Sequence, residues 1–166
     1  VISIISIIFL IHKLFLQGDF FFIQERAGIN QKTFKLIKIK TMNDNKITLF
    51  GFFLRKTKLD EIPQFFSVIS GDLNFIGPRP LLITYKNFYK DSEKVRFLIK
   101  PGITGLSQIK STSKTNWDIR LRWDVIYIKK KSFKLDFYIV LSTCKLIVYN
   151  FFNRSNNLDN FIRLDE

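Results

Sequence analysis

The sequence predicts a small α/β domain of the α+β kind, mostly helical with a short β element. Three observations carry this. Residues 20–24 are a β-prone aromatic cluster, and residues 33–42 set Phe34, Leu36, Ile37 and Ile39 among Lys35, Lys38 and Lys40 in a loosely strand-like pattern. From residue 49 onward the apolar residues fall mainly at helical spacing. The 166 residues, 46% of them hydrophobic, suffice for one folded core, and no repeat or linker marks a second domain. The expected boundaries are 1–16 for an apolar opening element, 17–152 for the main domain and 153–166 for a polar, loose tail.

Taken in order, the opening VISIISIIFLI is an 11-residue apolar run, shorter than the ~20 residues that span a bilayer. It has neither the basic leader nor the small-residue cleavage site of a signal peptide. It reads as a buried helix or strand, or as half of a membrane-embedded helix whose remainder is missing before Val1. Residues 43–46 form a loop, and residues 49–57 a short helix weakened by Gly51.

The next helix is expected to start at Asp60 as N-cap, with Glu61 and Pro63 in its first turn and Gly71 just past its end. Residues 71–80 form a turn-rich loop, 81–99 a helix or helix pair, 101–105 a rigid turn and 111–116 a polar loop. Residues 117–152 hold two helical patterns split near residue 131. The second lies in a membrane interface or packs on the domain, a full span being the lesser expectation. The single cysteine, Cys144, rules out an internal disulfide and reads as a small buried hydrophobe.

The net charge of +13 calls for an anionic partner: nucleic acid, an acidic membrane surface or phosphorylated small molecules. Against that background Asp60 and Glu61 stand out. Eight basic residues and one acid, Asp44, lie from Lys32 to Lys58, just before them. As a plain helix cap, Asp60 would contribute about 0.5–2 kcal/mol and need no chemistry. The cations and a helix N-terminus would also keep it ionised, suited to hold Mg²⁺ beside substrate phosphates or to attack phosphorus. Arg79, between Pro78 and Pro80, is presented from a stiff extended backbone that suits bidentate phosphate recognition, or is an arginine in an ordinary proline-rich turn.

The segments KIKTM, FLRKTKLDEIPQFFSVISGDLNFIGPRPLL and KPGITGLSQI, in this order, resemble the bacterial sugar transferases, monotopic polyprenyl-phosphate phosphoglycosyl transferases. The likeness runs from about Gln17 to Leu141. It implies transfer of a sugar-1-phosphate from a UDP-sugar donor to a polyprenyl (undecaprenyl) phosphate acceptor, releasing UMP through a phosphosugar-aspartyl intermediate. Asp60 is then nucleophile and Mg²⁺ ligand, and Glu61 its catalytic partner. Lys40, Arg55 and Arg79 contact phosphate or order the site; Asp72, Pro78, Pro80, Gly102 and Gly105 shape the loops.

The resemblance also implies attachment to the cytoplasmic face of the bacterial inner membrane, through a re-entrant N-terminal helix, of which 1–16 would be the returning part, and through amphipathic interfacial helices. It leaves a homodimer open, and nucleic acid is not an expected partner. Three local departures are ERAG (25–28) without a following proline, GLSQ (105–108) without an aromatic after the glycine, and a short loop after Met42. The alternatives are an inactive membrane-peripheral member of the family and a basic nucleic-acid-binding protein. The second is disfavoured because the basic residues form no recognition helix or aromatic-glycine RNA motif.

Overall fold

A computed structural model describes residues 1–15, 18–44, 46–112 and 115–152, with 14, 15 and 86 described by backbone alone. The chain is mixed and mostly helical, as expected. Its elements are α1 (Ile2–Phe15), β1 (Phe21–Ala27), β2 (Thr33–Ile39), β3 (Met42–Asn43), β4 (Lys46–Ile47), α2 (Leu49–Thr57), α3 (Gln64–Ile69), β5 (Asn74–Ile76), β6 (Gly102–Thr104), α4 (Leu106–Lys110), α5 (Trp117–Lys130) and α6 (Phe133–Phe152). Tight 3-10 segments cover Ile29–Gln31, Leu59–Glu61, Ile83–Phe88 and Asp91–Leu98. The polar tail expected at 153–166 and part of the loop expected at 111–116 lie outside the described residues.

β1 and β2 form an antiparallel hairpin whose register runs from Phe21 opposite Ile39 to Ala27 opposite Thr33. The period of two puts Phe34, Leu36 and Lys38 on the buried side of β2, while Lys35 faces out opposite Glu25. Phe34 and Leu36 pack against Leu73, Val68 and Ile103. Lys38 continues the same row, so the strand carries one lysine inward to the site.

α2 begins where expected, with Thr48 as its cap: the Thr48 hydroxyl accepts from the Gly51 N–H at 3.0 Å. Gly51 is a requirement here, not the weakness the sequence implies. A Cβ at Gly51 would lie 1.9 Å from the Thr41 carbonyl oxygen, so only glycine lets the helix approach the chain leaving β2. α2 ends at Lys58, which adopts a left-handed conformation at φ 60° and donates its N–H to Arg55 O and Leu54 O.

That ending corrects the expected helix cap at Asp60. The chain turns tightly through Leu59–Glu61, held by Glu61 N–H to Lys58 O and Ile62 N–H to Leu59 O, both 3.2 Å. α3 starts only at Gln64, after Pro63. Asp60 thus sits inside a 3-10 turn, and no side-chain cap bond starts either segment. Gly71 does stand just past α3, at φ +84°.

One further expectation changes. The rigid turn at 101–105 contains β6, which pairs in parallel with β5, Asn74 opposite Gly102 and Ile76 opposite Thr104. Residues 81–99 form a helix pair, as expected, both segments of the 3-10 type. The break falls at the extended residues Tyr89 and Lys90, where Tyr89 turns into the core against Phe97, their rings 5.2 Å apart.

α5 and α6 occupy the two predicted helical stretches. Asn116 caps α5 through its side-chain oxygen. α6 is tied down along one stripe: Ile139 is buried, the Tyr127 hydroxyl donates to Asp136 at 2.8 Å, and Thr143 meets Thr104 at 2.7 Å. Phe133, Phe137, Leu141, Val148, Tyr149 and Phe152 are exposed, and the helix is long and apolar enough by composition to cross a membrane. Cys144 lies exposed on this outer face, contrary to the buried position expected, because α6 packs through a single stripe.

α1 lays Ile8 against Phe20, Ile39 and Leu54, and exposes Ile2, Ile4, Ile7 and Leu10. The His12 ring is fully buried, edge-on to Phe20 at 4.9 Å. Burial pushes its pKa below 6.5, assisted by the charges of Lys40 and Lys13, while the Lys40 backbone works the other way. The native protein therefore binds fewer protons here than the unfolded chain, so stability is lost as pH falls through 6.5 toward the lower folded value. We expect the melting temperature to drop between pH 7 and 5. In His12→Phe that drop should shrink, and an identical pH profile would contradict the assignment.

Candidate active site

The site lies where β2, the 3-10 turn after α2, the loop after β5, and β6 converge. A cleft there is lined by Arg26, Leu36, Lys38, Glu61, Gln64, Arg79, Pro80, Gly102, Ile103 and Gln108. Three cations, one carboxylate and two amides thus face a common space. Lys38 Nζ lies 3.3 Å from Glu61 Oε1, with both side chains largely buried, and Lys58 Nζ lies 4.0 Å from the same oxygen. Asp60, 4% exposed, adjoins Glu61 in the same turn.

The loop carrying Arg79 is held in an unusual way. Prolines at 78 and 80 have no N–H, so the loop is anchored chiefly through its carbonyls. Four in succession accept: Pro78 O from Gly102 N–H at 3.0 Å, Arg79 O from Arg96 Nη2, Pro80 O from Arg26 Nη1 at 3.3 Å, and Leu81 O from Ala27 N–H at 3.0 Å. Gly77 adds its own N–H, donated to Thr104 O at 2.9 Å.

Close backbone approach sets the glycines. A Cβ at Gly102 would lie 2.1 Å from Gly77 N, and one at Gly105 would lie 2.1 Å from Gly77 O. Close approach at Gly102 and Gly105 and the accepting carbonyls of Pro78 and Pro80 together hold the loop in place. Asp72 shapes the end of α3, accepting from the Ser70 hydroxyl at 2.7 Å, and is exposed away from the cleft.

Of the residues singled out in the sequence, Glu61, Arg79, Pro80 and Gly102 line the cleft together. Asp60 adjoins it. Arg55 and Lys40 stand outside that lining. Arg55 Nε donates to the buried Thr41 hydroxyl at 2.8 Å, and the Lys40 N–H is held by Phe20 O at 2.8 Å. With no helix beginning at Asp60, the expected helix-terminus field gives way to the cations Lys38 and Lys58 around the acid pair.

Sequence reasoning missed Arg26, Gln64 and Gln108 and did not single out Lys38. The signal for Lys38 was available: it shares strand parity with the core residues Phe34 and Leu36. Arg26 is buried, bonds Gln24 and Pro80, and pairs across to Leu82. Gln108 fixes its amide by donating Nε2 to Ile103 O at 2.9 Å. Behind the loop, Asp124 is buried with Arg96. Desolvation raises its pKa, against the opposing charge of Arg96, a Ser107 hydrogen bond and the charge of Arg79.

Among the described residues no cluster of three metal-binding side chains occurs. The available hard donors are the two adjacent carboxylates, Asp60 and Glu61. Such a pair fits Mg²⁺, which commonly takes one or two protein carboxylates and completes its shell with phosphate and water.

The bacterial sugar transferase family model matches residues 1–150. An uncharacterized sugar transferase, EpsL of Bacillus subtilis, is 35% identical over 148 residues, covering 82% of this chain and 73% of EpsL. The undecaprenyl-phosphate galactose phosphotransferase of Salmonella typhimurium is 37% identical over 118 residues, covering 71% of this chain and 24% of its own length. The UDP-glucose:undecaprenyl-phosphate glucose-1-phosphate transferase of Klebsiella pneumoniae is 33% identical over 161 residues, covering 84% of this chain and 34% of its own. With the family model spanning nearly all the described residues and the match to EpsL covering most of both chains, this chain belongs to the bacterial sugar transferase family.

Proposed function

We propose that the chain moves a sugar-1-phosphate from a UDP-sugar to undecaprenyl phosphate and releases UMP, as the step that starts a lipid-linked surface glycan. The observation that carries this reading is the cleft in which Arg26, Lys38 and Arg79 converge beside Glu61, next to Asp60. Phosphate oxygens are the ligand chemistry that such cations recognise. The named activities of the Salmonella and Klebsiella relatives agree with it.

In the proposed reaction an Asp60 carboxylate oxygen attacks the sugar-bearing phosphorus of the donor. The bond from that phosphorus to the bridging oxygen breaks, and UMP leaves with the electron pair. A phosphate oxygen of the lipid acceptor then attacks the same phosphorus. That step forms the lipid diphosphate sugar and returns the Asp60 carboxylate. Glu61, held by Lys38 and Lys58, orients the acceptor or shares the metal with Asp60. Mg²⁺, when bound by the two carboxylates, supplies charge neutralisation to the phosphates. Arg79 steadies the negative charge that gathers on the transferred group.

The exposed apolar faces of α1 and α6 would place the domain on the inner leaflet of the membrane where the acceptor resides. The test is UMP release from UDP-glucose, UDP-galactose and UDP-N-acetylgalactosamine with undecaprenyl phosphate, in Mg²⁺ and in EDTA. One of the three donors should turn over, and only in Mg²⁺. Arg79→Ala should lower kcat/KM for that donor roughly hundredfold. Wild-type turnover in Arg79→Ala would remove the arginine from the phosphate frame.

A further inference from the structure

We propose that Arg96 and Asp124 are positioning residues that fix Arg79 at the cleft, a reading that rests on the transferase function for what Arg79 then holds. The prolines at 78 and 80 take two N–H donors out of this loop, so its carbonyls carry most of its anchoring, that of Arg79 among them. Arg96 holds that carbonyl: its Nη2 donates to Arg79 O and lies 3.1 Å from Asp124 Oδ2. Its Nη1 donates to the Tyr89 hydroxyl at 3.1 Å, and its guanidinium carbon lies 5.4 and 5.6 Å from the Tyr89 and Phe97 ring centroids. With side chains only 3% and 4% exposed, Arg96 and Asp124 are held in one arrangement.

Asp124 acts on the arginine through Arg96: the two charged groups lie 3.1 Å apart and both side chains are buried, so α5 fixes the direction of the guanidinium that holds Arg79 O. A buried ion pair is a poor route to stability, since apolar replacements often do as well. What this pair supplies is a fixed place for the Arg79 backbone.

The test uses UDP as probe, its dissociation constant measured by calorimetry for the wild type, Arg96→Lys, Arg79→Ala and the double variant. Lysine keeps the charge opposite Asp124 and loses the planar fork that joins Asp124, Arg79 O and Tyr89. Arg96→Lys should weaken UDP about tenfold, and that loss should vanish when Arg79 is already alanine. Without UDP, amide exchange at Gly102, whose N–H is held by Pro78 O, should speed up in Arg96→Lys. Asp124→Asn should repeat the pattern, with Arg96→Lys deciding the matter where Asp124→Asn fails to fold. Equal losses in both Arg79 backgrounds, or unchanged UDP binding and exchange in Arg96→Lys, would overturn the positioning role and leave the transferase reading standing. If Arg79→Ala bound UDP as the wild type does while exchange at Gly102 still rose, the phosphate role of Arg79 would fall and its positioning by Arg96 would hold.

Discussion

Asp60→Asn should fold like the parent and release UMP from a UDP-sugar more than about 10³-fold more slowly. Asparagine has the shape of aspartate, so it fits the buried turn between α2 and α3 without a new cavity. Asparagine also keeps one side-chain oxygen as an acceptor in that turn. What disappears is the anionic oxygen that attacks phosphorus. Circular dichroism melts should therefore overlay closely while the rate collapses. Full turnover in Asp60→Asn would mean that another group is the nucleophile.

Gly102→Ala should have the largest effect on stability. The added Cβ would lie 2.1 Å from Gly77 N and 2.6 Å from Ile76 C and Thr104 O, all of them backbone atoms. Backbone in a paired strand cannot step aside as a side chain end can. We expect a loss of about 3 kcal/mol and a melting temperature lower by roughly 10 °C. Gly71→Ala is the control. Its φ of +84° strains an alanine, but its nearest neighbour is the mobile Lys100 Nζ at 3.3 Å, so the loss should be about 1 kcal/mol. A loss at Gly102 no larger than that at Gly71 would show that the paired strands yield to the added Cβ and that close approach does not require glycine there. The Gly102 variant should also lose activity beyond its loss of folded protein, since the same contact seats the Arg79 loop.

The helices that read well from sequence are those whose signals are local. The apolar spacing over 49–57 marks α2, and the break near residue 131 separates α5 from α6. The hairpin of β1 and β2 was legible from its apolar and aromatic content. The parallel pairing of β5 with β6 was not, because its partners lie far apart in the chain and only the glycines at 77 and 102 hint at close approach. Asp60 illustrates the opposite failure. Its surroundings satisfy every local rule for a helix cap, yet the left-handed Lys58 ends α2 in a tight turn and α3 begins only after Pro63.

The candidate site was legible in part for the same reason. Glu61 and Arg79 could be found because acid pairs and proline-clamped arginines are rare local patterns in a basic chain. Lys38 was hidden among other lysines until strand parity sorted it inward. Arg26 and the Arg96 and Asp124 pair act through the backbone of a loop that is distant in sequence, and no local pattern marks them. The mass of positive charge therefore divides into a few inward cations with defined partners and many outward lysines.

The central claim is that a carboxylate of this chain carries the sugar phosphate between donor and acceptor. It is tested most directly by mass spectrometry of the protein incubated with its UDP-sugar and no lipid acceptor. We predict one phosphosugar added to the peptide that contains Asp60, matched by one UMP per protein, and absent in Asp60→Asn. UMP release that requires the lipid, with no adduct on any residue, would contradict the covalent route.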